Sequence, residues 1–341
     1  MLTKLSPALR PRLLRNLSQS LKEWSDFDAK SHFIEAPDGS HSLHLLEIKP
    51  LLSGAHDRKK SVCLLLHGAI ENGDIFYSKG NSKTKARGLA PYLASQGHHI
   101  FVADLRGKGL STPSIKQSRY ATFGQTESIR DSIPLLARSV QTISGCQHHA
   151  WIGHSWGNVL MTSTLAWDPS LVSNVSCMIG MGSKRNIRSR DTWRFYTDIA
   201  LVWDKFAPFL ARIMGYFPSK ALKIGAEDET LDNLLSCSHW IYNHWTDYKD
   251  GFNYAESYNR HIINQDPVPP TWHIAADNDY ILGNKKDVKL WAEETGQTAK
   301  YTLLTKKDNL ADYTHVSMLA GKTCNSDHFP DISDWVWDHV K

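Results

Sequence analysis

The sequence predicts an α/β fold, with a largely parallel central sheet flanked by helices and interrupted by a helical insertion. Three observations predict it. Apolar runs at 62–66, 99–103, 150–152, 175–179 and 271–275 alternate with helix-competent stretches, the rhythm of parallel strands joined by crossovers. A pentapeptide of the form Gly-x-Ser-x-Gly, Gly153-His154-Ser155-Trp156-Gly157, joins one of those runs directly to a helix. From 183 to 266 the alternation stops, and aromatic residues from Trp193 to Tyr258 recur at helical spacing with no further parallel strand.

Bulk properties narrow the class. A chain of 341 residues suits one large core with an insertion. Its 41% hydrophobic and 22% charged content is that of an ordinary globular protein, and a net charge of +4 is too small to indicate a nucleic-acid partner. Cys63, Cys146, Cys177, Cys237 and Cys324 are odd in number, scattered and free of any C-x-x-C pair. They read as buried thiols of a reducing, cytoplasmic setting, with neither a disulfide framework nor a zinc site. The histidine pairs His98-His99 and His148-His149 lack metal-ligand spacing to acidic partners. No apolar run approaches the ~20 residues of a membrane span.

The pentapeptide organises everything else. Residues 150–152 lead in as a strand, and 159–167 lead out as a helix. A serine on so sharp a turn sits in strained backbone, and glycines two positions away let strand and helix approach. The turn lifts Oγ off the sheet and aims a helix N-terminus at developing negative charge. With this strand–turn–helix in place the sequence resembles the α/β-hydrolase superfamily, and within it the serine esterases and lipase-like members with a helical cap.

The remaining elements follow in order. Residues 1–27 carry Lys4, Arg10, Arg12, Arg15 and Lys22 among regularly spaced leucines, a basic amphipathic helix pattern. It lacks the apolar centre of a secretory signal. It is expected to pack outside the domain, a weak membrane-surface contact being its alternative use. Residues 31–49 read as a hairpin turning at Pro37-Asp38-Gly39, and 53–60 as a polar surface exit. The strand 62–66 ends in His67-Gly68-Ala69-Ile70, which by resemblance begins an oxyanion loop; the donors would be the amides of Ala69 and Trp156. A helix at 85–96 and a strand at 99–103 lead to Asp104-Leu105-Arg106-Gly107-Lys108-Gly109-Leu110-Ser111. This resembles a loop common in the superfamily, in which Asp104 and Arg106 are expected to brace one another and the neighbouring turn rather than react. A helix from 126 to 143 is expected to kink at Pro134. The insertion, 183–266, would be the cap; it holds more rings than a small cap can bury, so several are expected to face the site.

By resemblance the acid of a triad follows the strand 271–275, which makes it Asp279, with Asp277 its rival. A helix at 285–294, a strand at 299–304 and a last helix at 329–340 complete the chain. The histidine is His315, from its His-x-x-x-Leu context, with His328 the competitor. The resemblance implies a core of 31–182 and 267–341, a cap of 183–266 and an N-terminal segment of 1–30. It implies a Ser155–His315–Asp279 hydrolase of carboxylic esters of a lipophilic small molecule, acting through an acyl-enzyme without cofactor or metal. Serine at the elbow argues against haloalkane dehalogenase and epoxide hydrolase chemistry, where aspartate is usual. Thioester cleavage or acyl transfer on the same serine, peptidase or amidase chemistry, and a non-catalytic binding role are the other readings.

Overall fold

A computed structural model describes residues 27–50, 61–78, 86–190, 193, 195–242, 244–264, 269–296 and 298–341. The amphipathic segment 1–26 and the polar exit 53–60 lie outside the described residues. Eight strands form one sheet: β1 (Phe27–Glu35), β2 (Ser42–Pro50), β3 (Val62–Leu66), β4 (His99–Asp104), β5 (His149–His154), β6 (Val175–Met181), β7 (Thr271–Ala276) and β8 (Lys300–Leu304). Their spatial order is β1-β2-β4-β3-β5-β6-β7-β8. β1–β2 and β2–β4 are antiparallel and every other pair is parallel.

The first hairpin follows from its turn chemistry. Gly39 adopts φ 70° and donates its amide to Ala36 at 2.9 Å, while the Asp38 carboxylate accepts from the Ser40 amide at 3.0 Å. Continuous apolar strands arise because the sheet is covered on both faces. Leu64, Leu66, Phe101, Ala103, Trp151 and Met178 pack on one side. Cys63, Leu65, Ile100, Val102, Ile152 and Ile179 pack on the other. Each such leucine, valine or isoleucine contributes roughly 1.5–3 kcal/mol by leaving water.

The helices are α1 (Leu89–Ser95), α2 (Ile133–Ser144), α3 (Trp156–Trp167), α4 (Ala207–Met214), α5 (Leu231–Ile241), α6 (Tyr254–Tyr258), α7 (Lys285–Thr295) and α8 (Phe329–Asp338). Two differ from the sequence reading. The helix expected at 85–96 starts later, because Arg87 pairs with Ser78 in an antiparallel bridge and Gly88 then turns at φ 111°. Where a kink was expected at Pro134, a π-helical turn over Ser128–Ser132 precedes it and Pro134 sits in the first turn of α2. Proline has no amide to give the carbonyl four residues back and its ring crowds that carbonyl, so the extra residue is taken up before it.

In the loop after β4, Asp104 braces the neighbouring turn as expected, but not Arg106. No ion pair joins Asp104 to Arg106 among the described residues. The Asp104 carboxylate accepts instead from His44 Nδ1 at 2.7 Å, the Gly73 amide at 2.7 Å and the Leu110 amide at 3.0 Å. Arg106 lies over the Phe123 ring, 4.2 Å from its centre. A buried carboxylate needs several fixed donors, and backbone amides supply them without ordering a long side chain.

Between β6 and β7 the chain is helical: a π-helical stretch Phe195–Phe206, then α4, α5 and α6, and a π-turn Asn259–Ile263. Its rings divide. Trp240, Trp245, Tyr254 and Tyr258 share one core with α3 and α7. There the Trp245 indole donates to Ser163 Oγ at 2.9 Å and its ring meets Trp291 edge-on at 5.1 Å. Trp193, Tyr196, Phe209 and Tyr248 are exposed. Among the described residues, no helix is long and apolar enough to cross a membrane.

Candidate active site

Ser155 stands between β5 and α3 with φ 50° and ψ −122°, a backbone conformation that costs a non-glycine residue about 1–3 kcal/mol. Neighbouring contacts impose it. A Cβ on Gly153 would stand 2.2 Å from the Asn158 amide nitrogen, and one on Gly157 would stand 2.3 Å from the Leu66 carbonyl oxygen. The Ser155 amide is tied to the Met181 carbonyl at 2.8 Å. Ser155 occupies the N-cap position of α3, yet its side chain makes no capping hydrogen bond. Among the described residues nothing holds its Oγ. Gly157→Ala is therefore expected to destabilise the fold by at least about 2 kcal/mol, since a main-chain oxygen cannot yield as a side chain does. Denaturant unfolding checks this, and a wild-type midpoint would count against the packing argument.

Two more candidates come from neighbouring strand ends. Asp279 follows β7 and His315 lies beyond β8, at the same carboxyl edge of the sheet as Ser155. The His315 Nδ1–H donates to Asp279 Oδ2 at 2.5 Å, with both side chains buried. Burial pushes the Asp279 carboxyl up; the charge and hydrogen bond of His315, the Gly283 amide and the Lys184 ammonium outweigh it and hold the group below the usual range. No hydrogen bond joins Ser155 Oγ to the His315 ring among the described residues. Such bonds are often open before substrate binds.

Asp277 and His328 are engaged elsewhere. Asp277 pairs with Lys285 and leaves 40% of its side chain exposed, against 4% for Asp279. His328 donates Nε2–H to the Met318 carbonyl at 2.8 Å and meets the Tyr313 ring edge-on at 4.8 Å. A further serine–histidine pair, Ser61 Oγ and His98 Nδ1 at 2.6 Å, precedes β3 and β4 at the opposite sheet edge. Its histidine continues to Ser333 Oγ at 2.9 Å with no carboxylate, and burial pulls it down to about 4. That pair ties α8 to the sheet.

The loop after β3 faces the elbow. A Cβ on Gly68 would stand 2.8 Å from Ser155 Cβ. His67 donates Nδ1–H to the Gly68 carbonyl at 2.8 Å and accepts from the Leu105 amide at Nε2, 3.2 Å. Those roles suit a neutral ring, and burial draws His67 below the ordinary histidine value. The Ala69 amide donates to no group among the described residues, and the Trp156 amide lies in the first turn of α3, where the helix offers no acceptor. A cavity of about 20 Å³, lined in part by Gly68, Ala69, Phe123, Trp156 and Glu229, opens beside them.

The family described as alpha/beta hydrolase fold matches residues 62–218. A soluble variant of monoglyceride lipase from Saccharomyces cerevisiae, solved with a substrate analog, superposes with a TM-score of 0.62 at 14% identity, covering 94% of this chain and 98% of that one. The chain is an α/β-hydrolase-fold protein. A hypothetical protein from Pseudomonas aeruginosa gives 0.60 at 10% identity over 93% and 95% of the two chains. A putative aryl esterase from Burkholderia cenocepacia gives 0.54 at 15% identity over 91% and 99%. No curated protein matches the chain by sequence.

In this fold two side chains that the motifs did not single out stand against the turn at Ser155. Glu71 Oε2 accepts from the Gly68 amide at 2.8 Å and from His154 Nδ1 at 2.9 Å. His154 in turn donates Nε2–H to the His315 carbonyl at 3.0 Å. Ligand atoms of Glu71, His154 and His315 lie within 4.8 Å of one another, and hydrogen bonds engage Glu71 Oε2 and both nitrogens of His154. Their sequence separation conceals the cluster; the local signals are the histidine inside the pentapeptide and the glutamate three positions after Gly68. The insertion also grips the loop. Ile70, at φ 53°, has its carbonyl bound by the Glu227 amide at 3.0 Å, and the buried Lys108 ammonium holds Glu229 at 2.7 Å.

Proposed function

We propose that this protein is a serine hydrolase that cleaves carboxylic esters of a lipophilic small molecule through an acyl-enzyme on Ser155. One observation carries the reading: a strained serine, its Oγ held by nothing among the described residues, shares a sheet edge with a buried His315–Asp279 pair. His315 Nε2 takes the proton of Ser155 as Oγ attacks the acyl carbonyl. Asp279 holds the Nδ1–H tautomer and balances the imidazolium that forms. The amides of Ala69 and Trp156 bind the tetrahedral oxyanion, each worth about 3 kcal/mol in the transition state. His315 then returns its proton to the leaving alcohol and activates the water that clears the acyl-enzyme.

On this reading 31–182 with 267–341 is the catalytic core and 183–266 its cap, with 1–30 a separate N-terminal segment. Aromatic density in the cap supports an apolar substrate, and the yeast neighbour is named for an ester of that class. Five free cysteines, four of them buried, support a reducing, cytoplasmic setting.

A series of p-nitrophenyl esters from acetate to long-chain tests the substrate class. Each added methylene leaving water is worth about 0.8 kcal/mol, up to about fourfold in kcat/KM. A rise through medium chain lengths is expected. Because the cavity at Ala69 and Trp156 is only about 20 Å³, that gain requires the cap to yield as the chain enters. A steady fall from acetate would leave a small-ester or amide specialist and remove the lipophilic half of the proposal.

A further inference from the structure

The Glu71–His154 pair stands outside the three-residue mechanism, yet it touches the loop after β3 and the loop that carries His315. Glu71 hangs from the loop after β3 and holds the Gly68 amide at the point where that loop meets Ser155. His154 is the last residue of β5, next in sequence to Ser155, and its ring is fully buried. Its Nε2 reaches the main-chain carbonyl of His315 at 3.0 Å, and the two imidazole rings lie 4.5 Å apart, centre to centre. The loop that carries the oxyanion donor, the strand that carries the nucleophile and the loop that carries the base are thus joined by three consecutive hydrogen bonds.

The donors and acceptors fix the protonation of that ring. A carbonyl oxygen can only accept, so Nε2 must carry a hydrogen. An ionised carboxylate can only accept, so Nδ1 must carry one as well. His154 is therefore a fully buried imidazolium paired with a partly buried carboxylate. From these contacts, and resting on the reading of Ser155 and His315 as nucleophile and base, we propose that Glu71 and His154 form a second carboxylate–imidazolium pair, whose task is to position the oxyanion loop and the His315 loop against the elbow. They are positioning residues, since neither needs to touch substrate.

The charge balance agrees. Burial favours a neutral Glu71, but His154 through charge and hydrogen bond, then His315 and the Gly68 amide, hold its carboxyl down to about 2. Burial likewise favours a neutral His154; Glu71, the His315 carbonyl and Asp279 prevail and raise it above the ordinary histidine value. The groups facing His154 are Glu71 from the loop after β3, Asp279 from the loop after β7 and His315 from the loop beyond β8. The sign follows. A raised histidine keeps both hydrogens up to the ordinary histidine value and loses one as pH rises through the raised value; the carboxylate retains Nδ1–H, so Nε2 is bared and its bond to the His315 carbonyl is lost.

The test is steady-state kinetics of full-length wild type, Glu71→Ala, Glu71→Gln and Ser155→Ala on p-nitrophenyl butyrate, with fluorophosphonate labelling and melting curves. Glu71→Ala is expected to lower kcat about 10- to 100-fold, the cost of sub-ångström misplacement at a reacting centre, with KM within about threefold. In Glu71→Gln the amide oxygen can still accept from the Gly68 amide and from His154 Nδ1–H, but it carries no charge to hold the ring as an imidazolium. It should recover part of kcat at neutral pH and lose the alkaline fall of the wild type, a change that a purely structural role would not produce. A folded Glu71→Ala with kcat within twofold of wild type overturns the proposal. Where Glu71→Ala does not fold, Glu71→Gln decides: an alkaline limb superimposable on wild type overturns it. Labelling lost in Ser155→Ala while both Glu71 variants match wild type sinks the pair alone; labelling retained in Ser155→Ala sinks the serine reading and the pair with it.

Discussion

Ser155→Ala is expected to abolish covalent labelling by a fluorophosphonate and to lower turnover of an activated ester by about 10⁶-fold, leaving the fold intact. On the proposed mechanism the label is a bond to Oγ, so no partial reaction survives removal of that atom. Binding and the oxyanion donors remain, and they account for whatever residual turnover is left. Alanine inherits the φ of 50° that the flanking packing imposes on Ser155, so the backbone cost is already present in the wild type. Mass spectrometry of intact protein after labelling is the direct measurement. A variant labelled to the wild-type extent would put the nucleophile at another residue and remove the mechanism.

His315→Ala and Asp279→Asn are the second pair with a large effect. His315→Ala is expected to approach the loss of Ser155→Ala, because nucleophile and base act as one unit. Asp279→Asn should cost about 10⁴-fold in kcat, since an amide no longer enforces the Nδ1–H tautomer. The competing residues predict the contrast. Asp277→Asn removes an exposed pair with Lys285, worth about 0–1 kcal/mol of stability and almost nothing in rate. His328→Ala opens a buried site under Tyr313 and is expected to cost stability of a few kcal/mol, roughly, with kcat nearly retained in the folded fraction. Asp279 adds a pH signature. Its carboxyl is held below the ordinary value, so its contribution to stability is full above the unfolded pKa and is lost as pH falls through the folded one. The stability gap between wild type and Asp279→Asn should accordingly close on acidification. A gap that widens there, or a Asp277→Asn variant slower than Asp279→Asn, would reverse the assignment of the acid.

What the sequence by itself determined is local. The continuous apolar runs marked strands covered on both faces, because a run such as Val62-Cys63-Leu64-Leu65-Leu66 cannot leave either side of a sheet in water. Glycines at 153 and 157 specified the tight junction at Ser155, because a Cβ there meets main-chain atoms only 2.2 and 2.3 Å away. The break in rhythm after β6 marked the helical insertion for the same reason: periodicity is a property of neighbours along the chain. Only the tertiary structure decided which charged groups meet. Asp277 and Asp279 differ by two positions in one loop, yet the way that loop leaves β7 turns one toward Lys285 and the other toward His315. The Asp104–Arg106 brace gives way to His44 and two amides, and Glu71 finds His154 across 83 positions. Each of these pairings depends on strand register and loop path, which set the few ångströms within which a buried charge must find its partner.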